Sequence, residues 1–147
     1  MVEFMMRDPL SKAERSALMG KVRNKGNKST EQVVELRLSL ENISGWVKHP
    51  SSVLGRPDFY FPEVKLAIFV DGCFWHSCPK CGRVPKSRVA FWTAKISENK
   101  RRDGRIRRQL RSSGFHVLRI WEHELERTFW ICRLKRMLAR LLREVSA

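Results

Sequence analysis

Leu66-Ala67-Ile68-Phe69-Val70-Asp71-Gly72-Cys73-Phe74-Trp75-His76-Ser77-Cys78-Pro79-Lys80-Cys81 is the stretch on which the fold turns. Its apolar opening, residues 66–70, reads as a buried strand that the glycine brings to an end. Between Asp71 and Cys81 stand a carboxylate, three thiols, two large aromatics and an imidazole. The cysteines are spaced Cys-x4-Cys-x2-Cys, so Cys78 and Cys81 can turn onto one tetrahedral Zn2+ and Cys73 can supply a third sulfur. A closed tetrahedral site needs a fourth ligand from elsewhere in the chain.

Working outward, Leu54-Gly55-Arg56-Pro57-Asp58 leads into Phe59-Tyr60-Phe61, and Pro62-Glu63 joins that run tightly to residues 65–70. Two β-prone runs on a short connection predict an antiparallel hairpin. Folding it at residues 63 and 64 sets Asp58 opposite residue 68, at the sheet edge that also holds Val70 and Asp71. On the other side, residues 87–112 predict a long basic helix with Trp92, Ile96, Ile106 and Leu110 as core contacts and a bend at Asp103-Gly104. Gly114 serves as its C-cap, and residues 115–121 follow as a buried strand.

Strand, helix, strand is a crossover unit, so strands 65–70 and 115–121 are expected to be parallel, with both carboxyl ends on one edge. That topology selects the fourth ligand. His123 lies two residues beyond one strand and Cys73 three beyond the other, whereas His116 starts its strand at the opposite end. Cys132 falls inside the amphipathic last helix and reads as a buried thiol. Cys73, Cys78, Cys81 and His123 therefore make a candidate structural zinc site.

The remaining elements are less sharply marked. Residues 128–144 carry Ile131, Leu134, Leu138, Leu141 and Leu142 at helical spacing and are expected to cap the sheet. Ser29-Thr30-Glu31-Gln32 opens a helix with Val33, Leu36 and Leu40 as its stripe, although the alternation of Val34, Leu36, Leu38 and Leu40 also fits a strand. Val47-Lys48 reads as part of a short edge strand. Residues 1–26 form an N-terminal basic arm, with a capping box at Ser11-Lys12-Ala13-Glu14 and a cationic loop from Arg23 to Lys28. Residues 27–147 are expected to be a single domain.

The chain has 147 residues, 42% hydrophobic, and a net charge of +15 from 30 Lys and Arg against 15 acids. That imbalance is relieved by a polyanion, and nucleic acid is the leading partner. No signal peptide or membrane-spanning apolar stretch is evident, so a cytoplasmic chain without a membrane partner is expected, in which clustered cysteines bind metal instead of forming disulfides.

A second metal chemistry shares the edge. Asp58, Glu31, the Val70 carbonyl and Asp71 are hard oxygen ligands suited to Mg2+. His76 is not needed for zinc, and its imidazole serves either as a general base or in packing. Glu31 in a first helical turn equally compensates a helix dipole. Phe74 and Trp75 read as core or as wedges displayed against bases, and Trp92 as core.

Together these residues resemble the very-short-patch-repair (Vsr) DNA mismatch endonucleases, of the restriction-endonuclease-like fold. The resemblance rests on Asn27-Lys28-Ser29-Thr30-Glu31, Gly55-Arg56-Pro57-Asp58-Phe59, Val70-Asp71-Gly72-Cys73-Phe74-Trp75-His76, Phe91-Trp92 with Lys95, Ile96 and Asn99, and Val117-Leu118-Arg119-Ile120-Trp121-Glu122. It runs from about Leu18 to Glu124. It implies a mixed α/β sheet flanked by helices and a Mg2+-dependent nick beside the thymine of a T:G mismatch in double-stranded DNA; a monomer on DNA is expected, with mismatch-repair proteins as candidate partners. It further implies that Asp58 and the Val70 carbonyl hold Mg2+, that His76 is the general base, and that Glu31 supports His76 by hydrogen bonding. Phe74, Trp75 and Trp92 become wedges beside the mismatch, and zinc is structural. Family members have Thr-His where this chain has Val70-Asp71, and the zinc loop here is one residue longer before Cys81. Two alternatives are a nuclease of the same fold cutting a defined sequence without a mismatch, and a zinc-stapled DNA-binding module without catalysis.

Overall fold

The computed structural model describes residue 13 and residues 29–147. Apart from Ala13, which is helical and exposed, the expected basic arm at 1–26 and the cationic loop after it lie outside the described residues.

Leu66–Asp71 (β3) is the spine of a four-stranded sheet in the order β1-β2-β3-β4, with β1 at Val47–Lys48, β2 at Phe59–Phe61 and β4 at His116–Trp121. β2 and β3 pair antiparallel and β3 and β4 parallel, as the hairpin and the crossover require. The register Phe59↔Ile68 centres the hairpin between residues 63 and 64, as expected, and so carries Asp58 opposite Phe69. The connection is a 3-10 turn, Pro62–Val64, closed by Lys65 at φ 50°.

β3 is apolar from Leu66 to Val70 because both its faces are covered. Leu66 and Ile68 point into the main core with Phe59, Leu118 and Ile120, beneath helices α1 (Ser29–Leu40) and α3 (Phe129–Ser146). Ala67 and Phe69 point the other way, toward Leu110 and Ile106 of the long helix α2 (Val89–Ser112). Each fully buried Leu or Ile is worth about 1.5–3 kcal/mol. Gly55 lets α2 come close: at φ 79°, a Cβ there would lie 2.6 Å from Ile106 Cγ2.

The helices differ from expectation in detail. α1 is a helix and not a strand, but its buried face is Val33, Val34 and Leu38, while Leu36 and Leu40 are exposed. The buried set includes a charge network, Glu41 holding Arg37 at 3.0 Å and pairing with Lys135 of α3, which joins the two helices. α2 continues through Asp103-Gly104 as one 24-residue helix. Asp103 faces away from the sheet core toward the Cys73–Cys81 loop, and a single glycine does not break a helix that tertiary contacts hold. α3 buries Trp130, Ile131, Leu134, Leu138 and Leu141 but leaves Leu142 exposed, and Cys132 is half-buried against the main core. Among the described residues no helix is long and apolar enough to cross a membrane.

Candidate active site

Because β3 and β4 run parallel in register, Asp71↔Trp121, the segments leaving their carboxyl ends start side by side. The 3-10 turn Glu122–Glu126 then presents His123 to the loop that follows β3. The Sγ atoms of Cys73, Cys78 and Cys81 and a ring nitrogen of His123 all lie within 4.8 Å of one another, a group that could hold a metal ion. His123 Nδ1 is 3.3 Å from Cys73 Sγ and 3.4 Å from Cys78 Sγ. Sulfur and nitrogen on a tetrahedral Zn2+ are separated by about 3.5 Å, so the donor set has the size and softness of that ion.

The loop is shaped to make the cluster. Gly82 N–H donates to the Cys78 carbonyl at 2.8 Å, and a Cβ at Gly82 would lie 2.6 Å from that oxygen. Burial and the neighbouring sulfurs push the Cys73 thiol up to about 12, against the hydrogen bond from His123. Cys78 is pulled below the usual thiol range: burial opposes ionisation there, but the Cys81 and Lys80 N–H groups donating to its sulfur outweigh it. Crowded thiols that resist ionisation in one place and favour it in another are what a bound cation would relieve.

Beside this cluster opens a cleft of about 260 Å³, lined by Arg56, Asp58, Val70, Asp71, His76, Asp103 and Arg107 among others. Asp58 and His76 thus share one space. Asp58 Oδ2 accepts the Val70 N–H at 2.6 Å, which fixes the carboxylate against the end of β3. Burial pushes Asp58 up to about 7, with Glu31 adding to the rise while the Val70 N–H and His49 work against it. A carboxylate held beside another carboxylate in partial burial suits a hard cation, which would displace the proton.

His76 is held by Asp103 of α2, with Nδ1 2.5 Å from Oδ2. Its other nitrogen, Nε2, lies 3.7 Å from Asp71 Oδ1. Asp71 is buried and its Oδ2 accepts from Arg119 Nε, whose guanidinium stacks 3.9 Å over the Trp121 ring.

Two side chains are held by partners that the sequence did not indicate. Glu31 Oε2 lies 2.8 Å from His49 Nε2, and the bonded partner of His76 is Asp103. Glu31, His49 and Asp58 instead form a second group with ligand atoms within 4.8 Å of one another. Asp71 does not join that group, since Arg119 holds its carboxylate on the β4 side.

The aromatics Phe74, Trp75 and Trp92 gather in one cluster, which Phe91 joins. Phe74 packs edge-on against Trp75 (5.0 Å) and Trp92 (5.5 Å), and Trp92 against Trp75 (5.7 Å) and Phe91 (5.1 Å). Trp75 is 49% exposed and Phe91 47%. Asn99 of α2, buried, donates to the Trp75 carbonyl at 3.1 Å and pins the aromatic loop to the helix.

Sequence reasoning missed Asp103, His49 and Phe91. Asp103 carried a usable signal, an acid inside the basic run from Lys100 to Arg108. His49, between an edge strand and a loop, carried none.

The family model described as DNA mismatch endonuclease Vsr matches residues 7–82, just over half the chain. The type II nicking enzyme V.NmeAIP of Neisseria meningitidis is 37% identical over 96% of this chain and 98% of its own length. The type II nicking enzyme V.NaeI of Lentzea aerocolonigenes is 45% identical over 47% of this chain and 42% of its own. The DNA mismatch endonuclease Vsr of Escherichia coli is 43% identical over 49% of this chain and 47% of its own.

Proposed function

The chain belongs to the Vsr family of DNA nicking endonucleases, and on that premise we propose that it hydrolyses one phosphodiester of duplex DNA at a site set by base sequence, with a divalent cation at Asp58. The observation that carries this reading is the shared cleft, which sets the Asp58 carboxylate and the His76 imidazole around one space walled by Arg56, Arg102 and Arg107.

Each residue then has a task. The Asp103 carboxylate on Nδ1 selects the tautomer in which Nε2 carries the lone pair, so His76 Nε2 takes the proton from the attacking water. Arg119 neutralises Asp71, which keeps a buried carboxylate beside His76 from repelling the phosphate. Arg56, Arg102 and Arg107 orient the phosphate in the cleft. Asp58 would hold the divalent cation, which when bound would supply charge neutralisation at the phosphate and the leaving oxygen. Cys73, Cys78, Cys81 and His123 hold a structural zinc that fixes the loop bearing His76.

Sequence-directed nicking is supported by the relative matched over nearly its whole length, which is called a type II nicking enzyme. A nick beside the thymine of a T:G mismatch, in very short patch repair, is the second reading. It is supported by the half-exposed Trp75, packed edge-on against Phe74 and Trp92, as a candidate wedge, since a mispaired step costs less to open.

The test is a library of duplexes with randomised sequence, prepared fully paired and with a single T:G pair, incubated with Mg2+ and sequenced at the nick. Nicks in paired DNA at a recurring sequence support the first reading, and nicks confined to T:G duplexes support the second. Absence of metal-dependent nicking in both sets refutes the proposed activity.

A further inference from the structure

His49 has no part in the chemistry described so far, yet it is built into the edge of the cleft. It follows β1 directly, its N–H donates to the Asp58 carbonyl at 3.4 Å, and it stands at φ 46°, a left-handed conformation that a residue with a Cβ rarely adopts. Strain of this kind persists where the surrounding structure over-determines it, and it collects at functional sites. Its consequence here is positional: the ring turns back over the sheet to meet Glu31, with Nε2 2.8 Å from Oε2.

Three donors of different chemistry converge there, two carboxylates and an imidazole, each partly open to solvent and all within 4.8 Å. Ligands held at right angles about 2.1 Å from one ion are about 3 Å apart, so the spacing of His49 and Glu31 already matches neighbouring positions in a coordination sphere. Lys48 Nζ is 4.0 Å from Glu31 but sits on Glu35 at 2.9 Å. Oxygen-only sites suit Mg2+, while an imidazole nitrogen favours first-row transition ions.

We propose that Glu31, His49 and Asp58 form a single mixed nitrogen-and-oxygen site for a divalent transition ion of the Mn2+ class, with His49 as the ligand that sets its preference over Mg2+. This rests on the reading of Asp58 as the cation ligand and adds two ligands to it. Aqueous positions left open by three protein donors remain for water and phosphate.

The test uses the full-length, zinc-loaded protein with Mn2+ as the probe, read by pulsed electron paramagnetic resonance and by Mn2+ titration in competition with Mg2+. The wild type should show the nitrogen modulation of a directly bound imidazole. His49→Gln should lose that signal, and its advantage for Mn2+ over Mg2+ should fall by at least the roughly tenfold that loss of even a ligand-orienting partner costs. His49→Asp, which returns an oxygen ligand, should bind both ions without the nitrogen signal, showing that the fold survives. Unchanged Mn2+ affinity and retained nitrogen modulation in His49→Gln would overturn the proposal, and continued nicking by that variant would leave the cation role of Asp58 standing. If Asp58→Asn also binds Mn2+ as the wild type does, the cation role of Asp58 falls with it.

Discussion

The imidazole of His76, on the loop after β3, reaches across to Asp103 in the middle of α2, with Nδ1 2.5 Å from the carboxylate. Residues 27 positions apart in the chain are thereby joined. The carboxylate holds the ring in place and selects which nitrogen can accept a proton.

Asp103→Asn removes that selection while keeping the shape. It should slow nicking by about 10²–10⁴-fold, in the range that general-base catalysis and tautomer control supply, with DNA affinity unchanged. His76→Ala should abolish nicking and also leave binding intact. Single-turnover nicking assays with binding measured in parallel decide this, and an Asp103→Asn enzyme as fast as wild type would refute the dyad.

Asp58 gives a pH dependence with a definite sign. Its carboxyl is raised from 3.8 to about 7 on folding, so the protonated form is the one the fold favours. The unfolded chain ionises first, and stability is lost as pH climbs from about 4 to about 7, then levels off. Asp58→Asn should therefore gain Tm over wild type in chelator, with the gain growing across that window. Added Mn2+ or Mg2+ should narrow the gap by stabilising the wild type alone. A Tm difference that is flat with pH would contradict the assignment.

The Cys73, Cys78, Cys81 and His123 cluster gives the third test. Metal analysis should find about one zinc per chain, and Cys78→Ser should lose it. Because Cys78 is buried and joins the loop to His123, Tm should fall by more than about 2–4 °C, the shift that 1 kcal/mol produces in a chain of this size. Nicking should fall with it, since His76 rides on the same loop. A metal-free, fully stable Cys78→Ser protein would remove the structural role.

Arg102 lines the cleft with half of its side chain exposed. Arg102→Ala should weaken binding to all duplexes alike and lower the slope of log affinity against log salt by about one. A loss confined to one base sequence would assign Arg102 to base reading instead.

A fifth test concerns packing. Gly55→Ala places a Cβ against Ile106 in a left-handed backbone and should cost about 1–3 kcal/mol by thermal or urea unfolding. In a double-mutant cycle with Ile106→Ala, which removes the clashing Cγ2, only the steric part of that cost should disappear, because the strain at φ 79° remains. Full recovery would mean that the backbone conformation carries no cost.

By itself the chain determined the sheet centre, the parallel crossover and the meeting of Cys73, Cys78 and Cys81 with His123. Those follow from local periodicity, the handedness of crossover connections and the length of two loops, all of which are written in consecutive residues. The tertiary structure alone decided which acid meets which histidine. Glu31 went to His49 and Asp103 to His76 because those contacts depend on where α1 and α2 lie across the two faces of the sheet. Helix placement is set by the summed packing of many apolar side chains, none of which carries information about its distant polar neighbours. The same holds for α1, whose buried face is Val33, Val34 and Leu38 rather than the stripe that spacing suggested, since packing against the sheet outweighed periodicity within the helix.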